Sequence, residues 1–180
     1  MKETRRSQYL KQMKETESGG YAYAGDFYRL KGDAENGRRQ RIRIGAGEAL
    51  LVLIVIGSGV IDAAGAADAF YVILPFIGEV SALFILCWNA VKLFAKKGIY
   101  REYVLETVLS RIPGAARMLS IFAAAGFLLS VYYLTRPGME GHVFKSILYP
   151  ALKLAAAGLS EGYRRFFEAL EWEKVREPDN

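Results

Sequence analysis

The stretch from Ala69 to Phe94, AFYVILPFIGEVSALFILCWNAVKLF, decides the fold, because only Glu79 and Lys92 are charged within these 26 consecutive residues. About 20 mostly apolar residues in one helix are enough to cross a hydrocarbon core roughly 30 Å thick. We therefore predict that this stretch is a transmembrane helix.

Three more stretches approach or reach the same length. Together they predict four spans, at about 44–67, 69–94, 118–134 and 143–159, which use about half of the 180 residues. The predicted fold is an all-α four-helix transmembrane bundle over 44–159. Residues 1–43 form an N-terminal arm, 95–117 an inner connection, and 160–180 a C-terminal segment.

The positive charges are divided between these segments very unevenly. Residues 1–43 carry eleven Lys and Arg, 95–117 carry five and 160–180 carry four, whereas the two remaining connections carry only Arg136. Cytoplasmic segments of membrane proteins carry an excess of Lys and Arg, because basic flanks resist translocation. We expect both termini and the inner connection to be cytoplasmic.

Composition and motifs argue against several function classes. The net charge of +5 is explained by topology and no base-reading motif accompanies it, so we expect no nucleic-acid partner. The phosphate-binding loop, the H-E-x-x-H zinc motif and paired cysteines do not occur in the sequence, which has one cysteine, Cys87, and one histidine, His142. We expect no metal, no cofactor and no enzyme activity.

The polar segments predict some structure of their own. Lys2–Glu17 is typical of a charged helix, and the alternating runs Tyr21–Leu30 and Gln40–Ile44 are compatible with a short cytoplasmic β-hairpin. Gly98–Arg111 has the spacing of an amphipathic surface helix that Pro113-Gly114 would end. The segment 160–180 is expected to continue the fourth helix along the membrane surface.

Ionisable residues inside the spans are the candidate functional residues. Glu79 and Lys153 lie at similar depth, so we expect them to form an ion pair that offsets the cost of each charge in hydrocarbon. Asp62 and Lys145, near the outer ends of spans one and four, could form a second, wetter pair. Glu48 lies on the same face of span one as Asp62, so the two residues form a polar face along that span.

Small residues predict close contacts between the helices. Gly59, Ala63 and Ala67 are spaced by four in the first span, and Ala123–Gly126 forms a small-residue run in the third. In lipid, helices associate by packing rather than by the hydrophobic effect, and small residues let their backbones approach.

The aromatic run Tyr21–Tyr28 ahead of the first span, combined with Phe70–Phe76 at the start of the second, resembles an uncharacterised group of small four-span bacterial membrane proteins. The likeness covers about residues 20–135. It implies the four-span topology and a bacterial inner-membrane location, and it implies no activity and no ligand residue.

Two functional interpretations follow from these features. The favoured one is a non-enzymatic component in the lipid bilayer that forms a homo-oligomer or joins a larger membrane complex. The alternative is a small transporter or channel subunit that uses Glu79, Lys153 and the polar face of span one. A water-accessible cavity at the ion pair would favour transport, and a packed core would favour the interaction protein.

Overall fold

The computed structural model describes residues 13–15, 21–32, 34–61, 69–94, 98–135 and 143–175. Helices dominate these ranges: α1 Ala34–Val60, α2 Phe70–Phe94, α3 Glu102–Leu134 and α4 Val143–Glu168. Each helix packs mainly on two neighbours in the cyclic order α1, α2, α3, α4, and α3 has the most extensive contacts. The result is a four-helix bundle.

The core of the bundle is made of aliphatic side chains from all of the helices. Leu51 of α1, Leu86 of α2 and Leu119 of α3 are fully buried, and Ala156 of α4 packs with them. The buried positions of α3 recur every three or four residues along most of its length, which is the repeat of one helix face.

The outward faces of the helices are also apolar. Large exposed side chains include Leu50, Leu53 and Ile56 of α1, Leu74, Phe84 and Trp88 of α2, Met118, Ile121 and Leu128 of α3, and Ile147 and Leu154 of α4. Three helices, α1 to α3, are long and apolar enough to cross a membrane. These features are those of a membrane protein. Helix α4 does not meet the same criterion, and it contains Lys145, Pro150 and Lys153.

Within the described ranges, five short strands lie outside the helices. β1 (Met13–Glu15) pairs with β2 (Tyr21–Tyr23), and a separate antiparallel sheet has the order β4, β3, β5, with β3 at Phe27–Leu30, β4 at Tyr100–Arg101 and β5 at Trp172–Val175. β3 precedes α1, β4 lies between α2 and α3, and β5 follows α4. Three distant chain segments therefore meet at one end of the bundle, called here the sheet end.

The three-stranded sheet is attached to the bundle by aromatic packing. The hydroxyl of Tyr100, a fully buried residue, donates a 2.7 Å hydrogen bond to the Leu93 carbonyl at the end of α2. The Tyr100 ring meets Trp172 of β5 edge to face at 5.6 Å between centroids. The sheet end is thus continuous with the hydrophobic core.

Two exposed ion pairs join the β3 and β5 segments of this sheet. Lys174 lies 2.6 Å from Asp26, and Lys31 lies 2.7 Å from Glu171. Hydrogen bonding to Asp26 raises the pKa of Lys174, and hydrogen bonding to Lys31 lowers the pKa of Glu171. Both pairs are solvent-exposed, so salt screens them and their effect on stability is small.

The all-α prediction is incomplete, and the hairpin was placed wrongly. Gln40–Ile44 belongs to α1, which begins at Ala34, ten residues before the predicted span. Ile44 is fully buried in the core, whereas Ile42, the other isoleucine of the alternation, is exposed, as residues two apart on a helix are. Tyr21–Tyr23 pairs instead with Met13–Glu15, inside the run expected to be helical. The rest of that run, and residues 62–67 of span one, lie outside the described residues.

Two predicted boundaries are also wrong. Pro113-Gly114 does not end a surface helix, because α3 runs without interruption from Glu102 to Leu134 with Pro113 inside it. Buried Val108 and Ile112 before the proline, and Ala116 after it, lie on one packed stripe that favours continuing the helix. At the C-terminus, α4 stops at Glu168, and Trp172–Val175 pairs with β3 rather than extending the helix.

Candidate functional site

The structure brings Glu79 of α2 and Lys153 of α4 together inside the bundle. The Lys153 ammonium donates to both carboxylate oxygens of Glu79, at 2.9 Å to Oε1 and 2.8 Å to Oε2. The two side chains are 0% and 1% exposed, so neither water nor lipid reaches the pair. Helices α2 and α4 are not sequential neighbours in the bundle, and this ion pair joins them across its core.

Aromatic rings and a glycine complete the surroundings of the pair. The Lys153 Nζ lies 4.7 Å from the centroid of the Phe76 ring and 5.1 Å from that of Tyr149, distances that permit cation–π attraction. On the α3 side, a Cβ added at Gly126 would lie 3.1 Å from Glu79 Oε1 and 3.5 Å from Lys153 Cδ. The absence of a side chain at Gly126 is therefore what lets α3 pack over the pair.

The energetics of this arrangement favour a structural role. Removing a carboxylate and an ammonium from water costs several kcal/mol per ion, and their attraction offsets that cost only while both are present and well aligned. An ion pair of this kind adds little to the net free energy of folding, but it favours one packing arrangement over others. Any slip of α4 against α2 would leave two unpaired charges in an apolar interior. We therefore expect the pair to fix the register of α4 against α2.

The other predicted polar residues are only partly described. Glu48 is buried in α1 at 8% exposure and lies near the Cys87 side chain of α2. Asp62 lies outside the described residues, as does the side chain of Lys145 within α4. Their pairing, and the polar face that Asp62 was expected to share with Glu48, therefore remain predictions.

A cavity of about 210 Å³ lies between α1, α2 and α4 at the end of the bundle far from the sheet. Its walls are Ser58, Gly59, Ile61, Val72, Ile73, Phe76 and Tyr149. Phe76 and Tyr149 are the same two rings that cover Lys153, so they separate the cavity from the ion pair. A Cβ at Gly59 would clash with the Phe76 ring, so this glycine allows the predicted close approach of span one.

The sequence-based expectations did not include a stripe of small residues on the outside of α4. Ala151, Ala155, Gly158 and Gly162 are all exposed, and no other part of the structure comes within 4 Å of a Cβ added at either glycine. The spacing of four between Ala151 and Ala155, and between Gly158 and Gly162, is visible in the sequence. This face points outward because Lys153, on the other side of α4, points inward. The inward direction of Lys153 is a property of the packed bundle and is not visible in the sequence.

Metal binding has no candidate residues in the described part of the chain, where no three His, Cys, Asp or Glu side chains cluster. Comparisons with protein-family models, with curated proteins and with solved structures give no match. The functional argument therefore depends on the geometry of the molecule itself.

Replacing Glu79 with Gln should lower the free energy of unfolding in detergent micelles by about 3–5 kcal/mol, because Lys153 would remain charged in a dry core without a counter-ion. The double variant Glu79→Gln, Lys153→Met should recover part of that loss. Glu168→Gln, which removes an exposed partner of Arg164, is the control and should cost no more than about 1 kcal/mol. A Glu79→Gln protein as stable as the wild type would show that the pair does not hold the bundle.

Gly126→Val should destabilise the bundle by about 1–3 kcal/mol, since its added carbons would press on Glu79 and Lys153 from α3. The matched control is Gly114→Ala on the same helix, where an added Cβ meets nothing within 4 Å. That variant should be neutral or stabilising by up to about 1 kcal/mol. Equal effects of the two substitutions in an unfolding titration would contradict close packing over the pair.

Proposed function

We propose that all four helices cross the bilayer, so that both termini lie on the same side. The support comes from the sheet end, where β3, β4 and β5 pair although they precede α1, separate α2 from α3, and follow α4. If α1 to α3 each cross, α4 must cross as well to return β5 to its partner β3. The Glu79 carboxylate offsets the charge of Lys153, which is the main obstacle to inserting α4.

The sheet end is proposed to be cytoplasmic. Four arginines of the first α1 turns, at 38, 39, 41 and 43, belong to this end, together with Arg101 of β4 and Lys174 of β5. Clusters of Lys and Arg favour the cytoplasmic side and the anionic inner leaflet. The resemblance to small four-span bacterial proteins supports the inner membrane of a bacterium as the location.

Within that membrane, the function that the geometry supports best is association with other transmembrane helices. The observation that carries it is the exposed small-residue stripe of α4, defined by Ala151, Ala155, Gly158 and Gly162. Such a stripe allows two helix backbones to approach closely, and lipid chains cannot match the dispersion contacts that result. The protein is thus proposed to be a non-enzymatic component of a homo-oligomer or of a larger membrane complex.

Transport is less well supported by the same geometry. A pathway that used Glu79 and Lys153 would need water or substrate to reach them, yet both side chains are buried and the cavity between α1, α2 and α4 is bounded by the Phe76 and Tyr149 rings. A fully paired and covered lysine suits a fixed contact between helices.

The topology can be tested with single cysteines in a Cys87→Ser background in intact cells. Gly138→Cys, in the connection between α3 and α4, should react with a membrane-impermeant maleimide added outside. Glu173→Cys, in β5, should react only after the inner membrane is permeabilised. Labelling of Glu173→Cys in intact cells would place the sheet end outside and would contradict the cytoplasmic assignment.

Gly158→Leu should weaken self-association by roughly tenfold, about 1.4 kcal/mol, because the larger side chain holds a second helix away from α4. Fluorescence energy transfer between labelled copies in liposomes measures this as a function of the protein-to-lipid ratio. Ala124→Leu, on the exposed face of α3, is the matched control and should leave the transfer unchanged.

Three results would contradict the association proposal. One is equal loss of energy transfer in Gly158→Leu and Ala124→Leu, since the stripe would then have no special role. Another is unchanged transfer in Gly158→Leu. The third is a monomeric wild type that also retains no specific companion when it is purified from native membranes in mild detergent.

A further inference from the structure

A second buried polar layer lies between the ion pair and the sheet end. Glu48 of α1, Cys87 of α2 and Tyr163 of α4 lie near one another there. Cys87 and Tyr163 are in the half of their helices nearest the sheet, and Glu48 is at the middle of α1. Cys87 follows Glu79 by eight residues, which is about 12 Å along the α2 axis. The two polar layers are therefore separate.

Glu48 is buried, with only 8% of the residue exposed, yet the hydrogen bonding of its carboxyl is incomplete. The Cys87 thiol lies near this carboxyl, and its Oε1 has no hydrogen-bond partner in the described structure. The Tyr163 hydroxyl, on a residue 5% exposed, also lacks a partner there. The Tyr163 ring packs on α1 beside Glu48, since a Cβ added at Gly47 would lie 3.0 Å from its Cδ2.

The contrast with Glu79 identifies what is missing at Glu48. Glu79 has an ammonium on both oxygens, whereas among the described residues the titratable groups near Glu48 are Cys87 from α2 and Tyr163 from α4, and neither is a cation. An ionised carboxylate in such a place is unfavourable, and a bound proton removes the charge.

We propose that Glu48, Cys87 and Tyr163 form a proton-binding site in which Glu48 is a neutral carboxylic acid at physiological pH. Ionisation breaks the carboxyl O–H bond, and the proton leaves to solvent at the sheet end. The exposed Arg43 is only five residues away there, about 8 Å along α1. The site is independent of the proposed helix association, because it faces the interior of the bundle.

Infrared spectroscopy of the full-length protein in liposomes tests the proposal directly, because a protonated carboxylic acid has a carbonyl band that a carboxylate lacks. At neutral pH the wild type should show this band, and Glu48→Gln should lose it. Glu106→Gln, at an exposed position of α3, is the matched control and should retain it. Raising the pH should abolish the band reversibly in the wild type.

The two neighbours of Glu48 supply a second measurement. Cys87→Ala and Tyr163→Phe each remove a polar group beside the carboxyl, whose dipole favours the ionised form, so the band should persist to higher pH in both variants. Unchanged titrations in both would overturn the three-residue site. Identical spectra of wild type and Glu48→Gln at neutral pH would overturn the proposal as a whole.

A third measurement uses the wild-type chain alone, so it does not depend on whether Glu48→Gln folds. A hydrophobic carbodiimide reacts with neutral carboxyl groups, and mass spectrometry of the peptides locates the adduct. Label should be found on Glu48 and should decrease as the pH rises, whereas the ion-paired Glu79 should remain unmodified. Label on Glu79 with none on Glu48 would overturn the proposal.

Discussion

The contact between Glu79 and Lys153 is the constraint on which the rest of the bundle depends. It joins α2 to α4 across the core with both charges shielded from solvent, and Gly126 of α3 leaves the space that it needs. Aliphatic packing alone tolerates sliding between helices, whereas a misplaced charge in an apolar interior does not. One ion pair therefore selects one arrangement of three helices.

That arrangement also determines which faces of α4 are available outside. With Lys153 turned inward, the small residues at 151, 155, 158 and 162 face outward, and the helix offers a smooth surface to other helices. The same inward direction places Tyr149 over the ammonium and Tyr163 beside Glu48. The proposed association and the proposed proton site thus use opposite sides of a single helix.

Several local patterns were misread because their outcome is decided by distant partners. The alternation at Gln40–Ile44 locally favours a strand, but Ile44 packs in the core as part of α1, which continues into the first apolar run. Pro113 lacks an N–H and locally favours a helix end, but the buried stripe on both sides of it keeps α3 continuous. Trp172 follows a helical pattern in sequence, yet it pairs with Leu30 more than a hundred residues away.

The sequence by itself determined that lipid surrounds the helices and roughly where the helices lie. Long apolar runs and the distribution of Lys and Arg are properties of composition that need no partner. It also identified Glu79 and Lys153 as residues that need each other, since depth follows from position along a helix. Only the tertiary structure decided the sheet, the covering of the ion pair and the outward face of α4. Those features join residues far apart in the chain, and their energies depend on distances that no local pattern contains.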